Sequence, residues 1–137
     1  MSKLTEDFIK FGFEGETGLT DEFIQKYSVK FLKNKIIFQE GERSSDVYYI
    51  LEGSVYVTKK MHDTFKVLTY LDKGDIFGEM GVLEETIRSA TIITREDSTF
   101  LKFTKEEFKE ILKIHPRWID KIIQDMSQRI ITMIQKL

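Results

Sequence analysis

The chain has 137 residues, enough for one domain with a real hydrophobic core. Apolar residues make up 41% and charged residues 32%, and a net charge of −2 argues against a surface built for nucleic acid or anionic membrane. The absence of cysteine excludes disulfides, thiolate metal sites and cysteine nucleophiles together. No apolar run reaches the length of a signal segment or a membrane span, so a cytoplasmic protein is expected.

Residues 1–30 read as an N-terminal helical segment. "TEDFIKF" (5–11) and "LTDEFIQKYS" (19–28) each fit a short helix, with Thr20 or Asp21 as N-cap of the second. Gly12, Gly15 and Gly18 lie between them. No Gly-Lys-Ser/Thr follows, so this is a flexible connector rather than a phosphate-binding P-loop.

Residues 31–103 read as strands: "KIIFQE" (35–40), "DVYYIL" (46–51), "SVYVTKK" (54–60), "FKVLTYL" (65–71), "RSATIITR" (88–95) and "TFLKF" (99–103). They are rich in β-branched and aromatic residues, and turn residues recur between them, the pattern of a sandwich or barrel. Residues 104–137 read as helices. Thr104 and Glu107 form a capping-box pattern ahead of "KEEFKEILKI", which ends near His115-Pro116. A second helix runs from there to the end. Its apolar residues Ile119, Ile123, Met126, Ile130, Met133 and Leu137 follow the 3-4 spacing of a two-helix seam. The whole chain, 1–137, is taken as a single domain.

"FGEMGVLEETIRSA" (77–90) carries the chemistry. Gly78 is followed by Glu79, at what is expected to be the start of a short helical turn. Arg88 is expected to start a strand, beside the small residues Ser89 and Ala90. Free N–H groups at a helix start attract an anion, and a planar guanidinium suits two phosphate oxygens. A carboxylate there is a pure acceptor and should take hydroxyl protons instead. An anion holder beside a hydroxyl holder describes a sugar phosphate. One arginine without metal ligands suits a singly charged phosphodiester. A surface ion pair is the plain alternative, and such pairs contribute little.

At these residues the sequence resembles the cyclic nucleotide-binding domain family, most of all its catabolite-activator branch. The family's phosphate-binding cassette has the form Gly-Glu-(Leu/Met)-(Ala/Gly), a short helix, then Arg-(Ala/Ser/Thr)-Ala. Here it reads Gly78-Glu79-Met80-Gly81 and Arg88-Ser89-Ala90. The likeness extends through "QEGERSSDVYYILEGSVYV" (39–57), "LTYLDKGDIFGEMG" (68–81) and "FTKEEFKEILKIHPRWIDKIIQDMSQRI" (103–130). It implies a mainly β fold, an eight-stranded β jelly roll flanked by N-terminal helices and a long C-terminal helix. It further implies that Glu79 holds a ribose 2′-hydroxyl and Arg88 an equatorial phosphate oxygen. Backbone groups near Gly81, Ser89 and Ala90 would complete the cradle. Val57, Leu68 and Thr69 would line the base pocket. Arg129 would reach toward Glu79 from the last helix, where Met133 and Ile134 replace the hydroxyl residues with which the catabolite activator reads adenine.

The function that follows is a cyclic-nucleotide receptor, with cAMP preferred over cGMP, that moves its C-terminal helix and acts on a downstream protein. No catalytic residue, metal or resident cofactor is expected. His62 and His115, the two histidines, are far apart and make a poor metal site. A homodimer through the final helix is expected, and no nucleic-acid or membrane contact by this chain. The alternative is the sensing part of a transcription regulator whose helix-turn-helix this sequence does not contain.

Overall fold

A computed structural model describes residues 21–79, 87–114 and 124. Helix α1 (Asp21–Tyr27) leads directly into β1 (Ser28–Phe31). Then follow β2 (Ile36–Phe38), β3 (Val47–Glu52), β4 (Ser54–Met61), β5 (Thr64–Asp72), β6 (Ile76–Phe77), β7 (Thr91–Thr94), β8 (Ser98–Phe103) and α2 (Lys105–Ile114). The strands form two four-stranded sheets, ordered β1-β8-β3-β6 and β2-β7-β4-β5, and the pairs are antiparallel. Any helix before residue 21, and the expected long helix after Pro116, lie outside the described residues.

The strand β3 shows why the first sheet forms. Its run "VYYIL" has no polar face, and both of its faces are covered. Val47 joins a cluster with Phe23, Ile76, Leu101, Phe103, Phe108 and Ile111, so α1 and α2 pack on one side of the sheet. Tyr48 and Ile50 point the other way, into a cluster between the sheets with Phe38, Val55, Phe77, Ile92 and Phe100. A strand buried on both faces reads as a continuous apolar run instead of an alternation. Each fully buried aromatic in these clusters contributes on the order of 2–3 kcal/mol by removal from water.

The short α1 is held by contact more than by propensity. Phe23 lies 6.0 Å and Tyr27 5.4 Å from the Phe103 ring. The start of α2 is fixed by the expected capping box. The Glu107 N–H donates to Thr104 Oγ1 at 3.1 Å, and the Thr104 N–H donates to Glu107 Oε1 at 2.9 Å.

Two expected strands are shorter than their apolar runs. The run 35–40 pairs only at Ile36–Phe38, and 88–95 only at Thr91–Thr94. Arg88 therefore does not start a strand. Its backbone is used elsewhere: its N–H donates to Glu42 O at 2.8 Å, and its C=O accepts from Gly41 N at 2.7 Å. Ser89 and Ala90 then bend into β7.

Candidate functional site

The site sits at one end of the cluster between the sheets. The strand β6 delivers Phe77 into that cluster, and Tyr48 stacks on it with ring centroids 4.9 Å apart and planes 9° from parallel. The chain then turns at Gly78, whose φ is +83°. A Cβ there would lie 2.7 Å from Asp46 O and 3.0 Å from Arg88 Nη1. Both the left-handed backbone and the lack of space require glycine. The turn carries Glu79 inward, where it is fully buried.

Arg88 reaches the same place from the other end of the cassette. It is only 6% exposed. Its Nε–H donates to Ser44 Oγ at 2.8 Å, Nη1 donates to Gly78 O at 3.1 Å, and Nη2 donates to Asp46 O at 2.7 Å. The guanidinium lies over the Phe38 ring, 3.8 Å from its centroid. Among the described residues, every hydrogen-bond acceptor it has is a neutral oxygen, and no carboxylate forms an ion pair with it. Burial pushes Arg88 below its ordinary value, and the neighbouring Tyr48, Asp46, Glu42 and Glu79 oppose that shift. Arginine starts so far above neutrality that the charge is kept at pH 7. Its direct hydrogen bonds all go to neutral oxygens while Asp46, Glu42 and Glu79 act on it through space, so an anion at the fork would add a charge partner in direct contact. Burial, with Asp46 and Glu42 adding to it and Arg88 opposing, pushes the Tyr48 hydroxyl up to about 12, so it stays protonated at physiological pH.

The structure thus brings Gly78, Glu79 and Arg88 together, with Glu79 among the charges that act on Arg88. Ser89 is exposed and Ala90 half-buried beside them. Met80 and Gly81, and Arg129, Met133 and Ile134 of the expected lid, lie outside the described residues. Val57 and Thr69 are cross-strand partners on β4 and β5. Leu68 is the extra residue of a bulge, because Val57 pairs with Thr69 while Thr58 pairs with Val67. Val57 and Leu71 pack on the inter-sheet cluster, and Thr69 shares their face of the sheet yet is exposed. The register also ties this group to the cassette, since Val57 pairs with Ile92 just after it.

The loop between β2 and β3 is the part the sequence reading left without a role. Gly41 and Glu42 clamp the Arg88 backbone, Arg43 bridges to Ile87, and Ser44 and Asp46 hold the side chain. The available signal was "EGERSSD" (40–46), a polar stretch longer than most connections between strands. Among the described residues no three His, Asp or Glu side chains are grouped to hold a metal ion, and no helix is long and apolar enough to cross a membrane.

A family model described as "Cyclic nucleotide-binding domain" matches residues 28–115. The cAMP-activated global transcriptional regulator CRP of Pasteurella multocida is 29% identical over 103 residues, covering 74% of this chain and 49% of that protein. The chain spans about half the length of the CRP proteins it matches. Among solved structures, the c-di-GMP responsive global regulator CLP of Xanthomonas campestris shares the fold, with a TM-score of 0.72 and 22% identity over 84% of this chain and 60% of that one. The EAL enzyme Bd1971 in its cAMP-bound form matches with a TM-score of 0.60 and 29% identity over 75% of this chain and 28% of that one. Its cGMP-bound form matches with a TM-score of 0.62 and 28% identity, over 80% and 29% of the respective chains.

Proposed function

The chain belongs to the cyclic nucleotide-binding domain family, and on that premise we propose that it is a receptor domain for a cyclic nucleotide, cAMP in preference to cGMP. The observation that carries this reading is Arg88: a buried guanidinium with a hydroxyl, two carbonyls and an aromatic face around it, and no ion-paired carboxylate among the described residues. A cyclic phosphodiester would supply a single negative charge in direct contact, which the described hydrogen bonds to this group lack. Glu79 takes the ribose 2′-hydroxyl as acceptor. Met80, Gly81, Ser89 and Ala90 close the cradle around the phosphate. Val57, Leu68 and Thr69 face the base, and Arg129, Met133 and Ile134 cover it from the C-terminal helix.

Apolar Met133 and Ile134 offer the guanine edge no polar partner, and leaving that edge dry costs on the order of 1–3 kcal/mol. Ser89 pulls the other way, since a hydroxyl beside the arginine can meet the guanine amino group. The preference for cAMP is therefore modest, about tenfold or less. Closure of the final helix over the base, and a homodimer through its seam, would pass occupancy to a downstream protein in the cytoplasm. The CRP proteins among the curated relatives are transcriptional regulators, which supports a regulatory role; a lysophospholipase NTE1 from Chaetomium globosum also matches, but over only 7% of its own length.

Isothermal calorimetry of the purified chain with cAMP and with cGMP tests the reading. Saturable one-to-one binding, tighter for cAMP, is the expected result. Clear cGMP preference that disappears in Ser89→Ala would show that the cassette hydroxyl outweighs the apolar lid. No binding of either nucleotide would overturn the receptor assignment.

A further inference from the structure

We infer that Ser44, in the loop between β2 and β3, is a positioning residue for the ligand's phosphate: it sets the orientation of the Arg88 fork. This rests on the receptor reading above and concerns the same site. Three of the five guanidinium N–H groups are taken, one each by Ser44 Oγ, Asp46 O and Gly78 O. Among the described residues one N–H on Nη1 and one on Nη2 remain, a set that matches two oxygens of one anion. The Phe38 ring, its centroid 3.8 Å from the guanidinium carbon, covers the fork but offers no hydrogen-bond acceptor to set its rotation. Rotation is fixed by the in-plane acceptors. Two of these are backbone carbonyls, Gly78 O at the start of the cassette and Asp46 O at the end of the loop after β2. The third, at Nε, is the only side chain of the three.

Removing that hydroxyl would leave the Nε–H buried without an acceptor. The fork could then regain a partner only by turning toward another oxygen, which misdirects the two remaining N–H groups. The same loop holds the Arg88 main chain through Glu42 O and Gly41 N. Backbone and side chain of the arginine are thus bracketed by one loop, and the bracket is completed by Ser44. Affinity for a phosphodiester is accordingly linked to the position of this loop, although in this reading the serine is not itself the anion's charge partner.

The test uses the full chain, cAMP and two substitutions. Ser44→Ala should weaken cAMP binding about tenfold, while Ser44→Thr, which keeps the hydroxyl, should stay within about threefold of wild type. A serine that acted only through the loop's fold, without holding the fork, would leave the Arg88 Nε–H resonance in place, so nitrogen-15 NMR supplies the second reading. In wild type this N–H should be protected from solvent exchange, in Ser44→Thr it should remain so, and in Ser44→Ala it should exchange fast. Unchanged affinity in Ser44→Ala would overturn the proposal. Equal weakening by both substitutions, with the Nε–H still protected, would also overturn it and leave the loop a structural role. Wild type that binds no cAMP would instead overturn the receptor reading on which the proposal rests, and the NMR arm would separately report whether Ser44 holds the fork.

Discussion

Gly78 and Arg88 depend on each other. The left-handed turn at Gly78 brings its carbonyl to the guanidinium, and the space a side chain would need is already filled by Asp46 O and Nη1. Gly78→Ala should therefore cost roughly 1–3 kcal/mol in strain, read by urea denaturation. It should also weaken cAMP binding at least about tenfold, because the fork is displaced. Wild-type affinity in a folded Gly78→Ala protein would separate the turn from the site. Glu79→Gln keeps a carbonyl oxygen that can accept a hydroxyl proton, so its loss should be smaller than that of Arg88→Ala. A 2′-deoxy ligand should then show little further loss in that variant; full sensitivity to the missing hydroxyl would remove Glu79 as its partner. Tyr48 gives a pH signature. Its hydroxyl is raised from 10.0 to about 12 in the folded chain, so folding favours the protonated form. That contribution is fully present below pH 10 and is lost as pH rises toward 12, an amount on the order of 2–3 kcal/mol. Tyr48→Phe should flatten this alkaline loss in denaturation curves measured across the window; an unchanged slope would assign it to other groups.

The elements were legible wherever local chemistry decided them. The capping box at Thr104 and Glu107 forms as the pattern implied. Thr104→Ala should lose about 1 kcal/mol of stability in urea titration, and no loss would mean that packing of Phe108 and Ile111 alone fixes α2. The four longest strands, β3, β4, β5 and β8, lie within a residue or two of their apolar runs. Two others were not legible. The strand β1 follows α1 with no turn residue between them, and β6 is two residues long, too short to show an alternation. The strand expected at Arg88 failed for a nonlocal reason: residues 41 and 42, distant in sequence, take its backbone hydrogen bonds. In the candidate site, the proximity of Gly78, Glu79 and Arg88 was readable because their types and spacing marked them as one group. The residues that orient them, Phe38, Ser44 and Asp46, were not. Two of these act through a ring face or a backbone carbonyl, and Asp46 contributes its carbonyl whatever its side chain.

At the scale of the molecule, two four-stranded sheets enclose one aromatic cluster, and helices cover the far face of one sheet. The proposed place for a ligand is where Gly78, Arg88 and the loop after β2 meet at that cluster, with Val57 on the neighbouring β4. The seam through Ile119, Ile123, Met126, Ile130, Met133 and Leu137 is proposed to join two copies and to cover the base. Ile130→Lys should then convert a dimer to a monomer by light scattering and weaken cAMP binding through the lost cover. A wild-type monomer, with and without cAMP, would leave the stripe to serve its own domain only. The central claim is narrower and rests on one side chain: the buried Arg88 charge is completed by the phosphate of a cyclic nucleotide. Calorimetry of Arg88→Ala with cAMP measures it most directly. The account predicts a loss of at least about 3 kcal/mol, roughly a hundredfold or more in Kd, in a protein that remains folded. Binding within threefold of wild type would contradict it.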